Sequence, residues 1–166
     1  MLLVDPNTNP SPTDATSWTT RKRDDVEDPT TDTYAQWAAS QGLNGGPDDD
    51  ADRDNLTNFF EYLFGSLPTD ASDAPLPSIL IRPFEVDGVT DDYISLTYQQ
   101  NRNAEGATLA IEITEDLIEW GNDPTATVEW SRTANGDGTD TVTHRFAEPV
   151  RSEDRQRYLR LRGVSP

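Results

Sequence analysis

Five aspartates stand within seven residues, at Asp48, Asp49, Asp50, Asp52 and Asp54, and an apolar helical stripe starts two residues later. No other segment restricts the fold as strongly. Carboxylates held this close repel one another, so a folded chain must either splay them into solvent ahead of a helix or close them around a cation. The spacing separates the two. On a twelve-residue loop opening at Asp50, Asp52 and Asp54 take positions three and five, and Leu56 presents its backbone carbonyl at seven. Asn58 stands at nine and Glu61 closes the loop at twelve. Alternating oxygen donors on a tightly turning backbone converge on one point, and a Glu in the first turn of the next helix reaches it from the far side. A hard divalent ion that takes six to eight oxygens at about 2.3–2.6 Å, calcium, suits such a donor set.

An acid-rich chain also produces Asp runs by accident. Asp and Asn make up 30 of 166 residues, so the four Asx positions and the closing Glu match somewhere with an expectation of about 0.01. Register gives a second check. A loop opening at Asp48 would put Phe59 at position twelve, where it cannot ligate. The glycine usual at position six is Asn55 here, the next-best residue for a left-handed backbone.

Around this segment the hydrophobic period changes. Residues 1–31 are rich in Pro, Thr, Asp and Asn and read as a solvated linker, with one apolar cluster at Leu2, Leu3 and Val4 that predicts a short strand. Residues 32–66 read as helix, acidic loop, helix. The first helix is expected within Thr31 to Leu43, and the second carries Leu56, Phe59, Phe60, Leu63 and Phe64 at helical spacing before Gly65. A Pro- and Asp-rich connector covers 67–77.

From residue 78 to 166 the period is two. Strands are expected at Ile79 to Phe84, Tyr93 to Tyr98, Thr108 to Thr114, Ala126 to Ser131, Thr141 to Phe146 and Arg157 to Val164. The fold class that follows is mainly β, a small antiparallel β-sandwich or partly open barrel preceded by a short helix–calcium loop–helix element.

Composition narrows function. With 31 acids against 13 bases the formal charge is -18, which disfavours nucleic acid and anionic membrane surfaces. No stretch is long and apolar enough for membrane insertion, and the start is too short for a signal peptide, so an export signal is expected outside this sequence. The absence of Cys removes disulfides, thiolate metal sites and a Cys nucleophile, and the single His144 argues against a His-based metal site or catalytic triad.

Glu112, Glu115 and Glu119, or Asp91 and Asp92, are the carboxylates available for glycoside chemistry, but nothing in their pattern separates them from solvent-facing acids. No catalytic role is assigned, and the expectation is a protein that is not an enzyme. Trp120 and Trp130 read as core at the sheet ends, with a sugar-binding platform as the sharper alternative. Arg160 and Arg162 share a strand face with Tyr158, where pairing with acids across the sheet is the simplest expectation.

The segment Tyr34-Ala35-Gln36-Trp37, Gly42-Leu43, Asp50 to Tyr62 and Gly65 to Pro68 resembles the calcium-loop-plus-helix element near the C-termini of large secreted bacterial proteins. That element is similar to a dockerin-like or thrombospondin type 3-like repeat built on half an EF-hand. Leu109 to Thr114, Asp116-Leu117, Trp120 and Arg157 to Leu161 are similar to the terminal β-region of such proteins, and Leu3 to Pro6 with Asn9, Pro10 and Trp18 to the last strand of a lamin-tail-like domain. The resemblance implies an extracellular or cell-surface, non-catalytic tail of a multidomain protein. It implies calcium as the bound ion and a glycan or cell-surface protein as the partner. The competing reading is a carbohydrate- or cell-envelope-binding β-domain attached to a secreted hydrolase.

Overall fold

Thr33 opens the first helix with a reciprocal cap: its hydroxyl oxygen accepts from the Gln36 amide at 3.4 Å, while the Gln36 side-chain oxygen accepts from the Thr33 amide at 2.9 Å. In this computed structural model, which describes residues 32–151 and 157–165, α1 spans Tyr34–Ser40 and α2 spans Asn58–Phe64. The linker expected at 1–31, with its short strand at Leu2 to Val4, lies outside the described residues. A two-residue strand, β1 (Asp32–Thr33), precedes α1 and pairs in parallel with β4 (Ala104–Glu105), a bridge too short to leave a periodic signal in the sequence.

The remaining strands are β2 (Ser78–Val86), β3 (Val89–Asn101), β5 (Thr108–Thr114), β6 (Thr127–Ala134), β7 (Thr139–Phe146) and β8 (Tyr158–Val164). All six overlap predicted strands: β5 has the predicted bounds, β3 extends well beyond the predicted Tyr93 to Tyr98 at both ends, and the other four differ by a few residues at most. They form an antiparallel four-stranded sheet in the order β2-β3-β7-β6 and an antiparallel pair β5-β8. The architecture is mainly β and sandwich-like, with no closed barrel. No helix among the described residues is long and apolar enough to cross a membrane.

Alternation explains how the layers meet. Leu96, Tyr98 and Val142 on one face of the large sheet are buried against Leu109, Ile111, Leu159 and Leu161 of β5 and β8. A second cluster joins the helices to the same layer: Trp37, Tyr62 and Leu63 pack with Tyr34, Phe59, Ala104 and again Leu109. The β-strands therefore share their core with the helices instead of holding the only one.

Helical spacing picked out Phe59 and Phe60 as core positions of α2, yet both are half-buried, whereas Tyr62, off that stripe, is fully buried. The reason is that α2 is enclosed from more than one side. Tyr62 sits among Tyr34, Trp37 and Phe59 and its hydroxyl donates to the Glu105 carbonyl at 2.9 Å. The end of α2 is tied to β3 as well, since Asn101 Nδ2 donates to the Tyr62 carbonyl and Gln99 Nε2 to the Phe64 carbonyl, each at 2.9 Å. Gly65, at φ 76°, closes the helix in the left-handed conformation that favours glycine.

Close approach of β8 to α2 depends on Gly163. A Cβ placed there would stand 2.7 Å from Phe59 Cε1 and 2.8 Å from Leu63 Cδ1. Gly163→Val should therefore lower unfolding free energy by about 1–3 kcal/mol through overpacking. Urea denaturation followed by tryptophan fluorescence measures it, and an unchanged midpoint would show that α2 does not rest on β8.

Candidate metal centre

The acidic loop turns because its own carboxylates hold its backbone. Asp50 Oδ1 accepts from the amides of Arg53 at 2.6 Å and Asp54 at 3.3 Å, and Asp50 Oδ2 accepts from Asn55 at 3.0 Å. Asp52 Oδ1 accepts from Asp54 at 3.3 Å, and Asp54 Oδ1 from Leu56 at 2.6 Å. Arg53 and Asn55 take left-handed φ values of 67° and 77°. Asn55 at the glycine position thus adopts the conformation a glycine would supply, as a short side-chain amide tolerates best.

These bonds leave one set of oxygens over. Asp50, Asp52 and Asp54 each place a carboxylate oxygen within 4.8 Å of the others. Asp52 Oδ2 and Asp54 Oδ2 are buried without a hydrogen-bond partner. So are Asn58 Oδ1 and both carboxylate oxygens of Glu61, whose side chains are fully buried. Asn58 is oriented by its amide, since Nδ2 donates to the Gly46 carbonyl at 2.9 Å. Its oxygen is thereby the end left over.

The start of α2 is set by the backbone before the loop. Thr57 makes no side-chain cap; instead the Asn58 amide donates to the Asp49 carbonyl at 2.7 Å and the Phe59 amide to the Pro47 carbonyl at 3.0 Å. This fixes the first turn that carries Glu61. Asp49 itself accepts from the Gly46 amide at 2.7 Å. Asp48 and Asp49, the first two of the acidic run, lie outside the group of three that comes together, and so does the predicted closing residue Glu61, which is linked to the three by charge. The bracing of the loop by the backbone of Gly46, Pro47 and Asp49 has no signal in the sequence, where a Gly-Gly-Pro run marks only the end of a helix. Leu56, proposed to ligate through its carbonyl, buries its side chain beside the loop.

The electrostatics follow from this geometry. Burial, then the charges of Asp52, Asp54 and Asp50, push the Glu61 carboxyl up to about 7. Asp52 is raised as well, by burial and then by Asp54. Buried oxygens without a hydrogen-bond donor, two of whose carboxyls, Glu61 and Asp52, have raised proton affinity, can hold protons or a cation, and all of these atoms are hard donors.

The other carboxylates and aromatics fall elsewhere. Glu112 is buried between two arginines, with Arg160 Nη2 at 2.7 Å and Arg162 Nη1 at 3.1 Å, which holds its carboxyl below the usual range. The expected cross-sheet pairing of those arginines is therefore present. Glu115 and Glu119 line an open cleft of about 580 Å³ beside Trp120, and Asp91 pairs with Arg151 at 3.2 Å. The Trp120 ring carries the Arg160 guanidinium at 4.1 Å. Trp130 is 44% exposed on the large sheet, against the expectation of core. His144 of β7 stacks on Tyr98 of the neighbouring β3, and burial lowers its proton affinity.

Comparison with family models, with curated proteins and with solved structures finds no match to this chain.

Glu61 makes stability depend on pH in a set direction. Its folded-state affinity for a proton lies above the ordinary value of 4.5, so its stabilising contribution is complete below about 4.5 and is lost as pH rises through about 7. In chelator the melting temperature should fall across that interval, and Glu61→Gln should flatten the fall. Thermal melts in a pH series check this, and a metal-free parent whose stability rises over the same interval would contradict it.

Proposed function

We propose that Asp50, Asp52, Asp54, Asn58 and Glu61, with the Leu56 carbonyl, bind one calcium ion, and that the protein is a non-catalytic extracellular module whose helical element the ion locks to a β-domain. The observation that carries this reading is the Glu61 carboxylate, fully buried, with neither oxygen hydrogen-bonded, and raised in proton affinity by burial and by the charges of Asp52, Asp54 and Asp50. An uncompensated buried carboxylate is expensive, and a divalent cation offsets that cost directly. Five buried acceptors lack a donor: one oxygen each on Asp52, Asp54 and Asn58, and two on Glu61. With Asp50 and one carbonyl the donor count falls in the range calcium takes, and two oxygens from one Glu suit its flexible coordination better than the strict octahedron of magnesium.

The consequence for the module follows from what α2 touches. Its first turn carries Glu61, and its last turn is bonded to β3 through Gln99 and Asn101. An ion at the loop thus stabilises the docking of the helices on the β-strands. The likeness of the loop to dockerin-like and thrombospondin type 3-like repeats supports a place in the tail of a larger exported protein, where millimolar calcium matches the weak affinity, about 10⁻⁴ to 10⁻³ M, of extracellular modules.

Saturating calcium, at 100 times the dissociation constant, should add about 2.7 kcal/mol to stability. The check is calorimetric titration with calcium and with magnesium, alongside thermal melts in calcium and in chelator. Asp52→Ala and Glu61→Ala should each abolish the calcium-dependent shift. No heat of binding at millimolar calcium together with an unshifted melt would remove the proposal.

A further inference from the structure

The large sheet has two faces, and β5 and β8 cover only one. On the other, Arg82 pairs in register with Tyr93, and Ser95 with Arg145, while a register irregularity between Glu129 and Ser131 brings Trp130 to the same side. The side chains interlock. The Arg82 guanidinium lies 5.0 Å over Phe84, which meets Tyr93 at 6.0 Å and Trp130 at 5.1 Å, both edge to face. The Arg145 guanidinium lies 4.7 Å over Tyr93 and 5.4 Å over Trp130. Phe84, Tyr93 and Arg145 are buried and Trp130 is not. An open cleft of about 370 Å³ runs along this cluster, lined by Arg82, Phe84, Trp130, Ser131 and Thr143, with Glu85 also present.

Charge makes the cluster unusual. In a chain with 31 acids and 13 bases, Arg102, Arg132, Arg151, Arg160 and Arg162 each pair with a carboxylate. Arg82, Arg145 and the exposed Arg53 and Arg157 have no carboxylate partner within 4.0 Å among the described residues, and of these only Arg82 and Arg145 are withdrawn from solvent. The Nε of each is buried without an acceptor. Arg145 Nη1 donates to the carbonyls of Phe146 at 2.8 Å and Ala147 at 3.2 Å, and Arg82 Nη2 reaches only the Thr97 hydroxyl at 3.5 Å, so stacking on aromatic faces offsets part of the cost of burial while no anion meets either guanidinium.

We infer that this face binds an acidic saccharide, a uronate whose ring stacks on Trp130 and whose carboxylate accepts from the guanidinium of Arg82. A flat exposed indole fits the C–H face of a sugar ring, and guanidinium is the cation best matched to a carboxylate. A neutral sugar would leave the arginines unpaired. A peptide is better served by a sheet edge, where main-chain bonds are available, than by a face of side chains. The calcium loop lies on other elements, so the inference stands apart from the calcium reading.

Isothermal titration of the calcium-saturated full chain with trigalacturonate, an uncharged trisaccharide and an acidic hexapeptide tests it. Trigalacturonate should bind and change tryptophan fluorescence, the uncharged sugar should not, and Arg82→Gln or Trp130→Ala should each weaken binding about tenfold or more. Thermal melts of the two variants, both altered at accessible side chains, confirm that they fold, and binding by the parent is the primary readout. Absence of binding at millimolar trigalacturonate, equal binding of the neutral sugar, tighter binding of the peptide, or full affinity in both folded variants would each overturn the inference.

Discussion

A single carboxylate organises the helical half of this protein. Glu61 is enclosed by the loop on one side and by the packed helix on the other, facing the charges of Asp50, Asp52 and Asp54. Its position is not adjustable, because the backbone of α2 is held at its start by the carbonyls of Pro47 and Asp49 and at its end by β3. The loop carboxylates are equally committed, each turned by at least one bond to a loop amide. The polypeptide thus holds negative charge together at a point where the described residues form no ion pair with it. That imbalance is a folding cost unless a cation or protons are taken up, and it couples the loop to everything α2 supports.

The β-strands handle charge in the opposite way. Glu112 is buried, yet both its oxygens are met by arginines on the neighbouring strand, and Asp140 is met by Arg102 and Arg132. Such pairs complete themselves within the chain and leave nothing for a ligand to do. Among the described residues two clusters depart from self-sufficiency: the aspartates with Glu61, which pair with no cation, and Arg82 with Arg145, which pair with no carboxylate. Their separation on different elements is why the sheet cluster does not neutralise the loop. Unsatisfied charge of opposite sign at two sites is a stronger pointer to ligands than the overall acidity, which most of the acids express only as a solvated surface.

Much of the fold was legible because its signals are local. A period of two in Ile94, Leu96 and Tyr98 or in Leu109, Ile111 and Ile113 requires only neighbouring residues, and each strand predicted after residue 78 is present. Thr33 with Gln36, and Gly65, mark helix ends by chemistry that acts within a few residues. The grouping of Asp50, Asp52 and Asp54 was likewise readable from spacing, since a short turning loop permits few arrangements. What spacing could not show was burial. Tyr62 is interior because α1, β4 and α2 meet around it, and Trp130 is exposed because the second layer has only two strands and covers the other face.

The sequence by itself determined the alternation of the strands, the ends of the helices and the order of oxygen donors from Asp50 to Glu61, because each depends on residues a few positions apart. The tertiary structure alone decided which of those oxygens lost their access to water, that the helices and strands share Leu109 in one continuous core, and that Arg82 and Arg145 meet Phe84, Tyr93 and Trp130 on an open sheet face. Burial and unpaired charge are properties of what surrounds a residue, and those surroundings are assembled from segments that lie far apart along the chain.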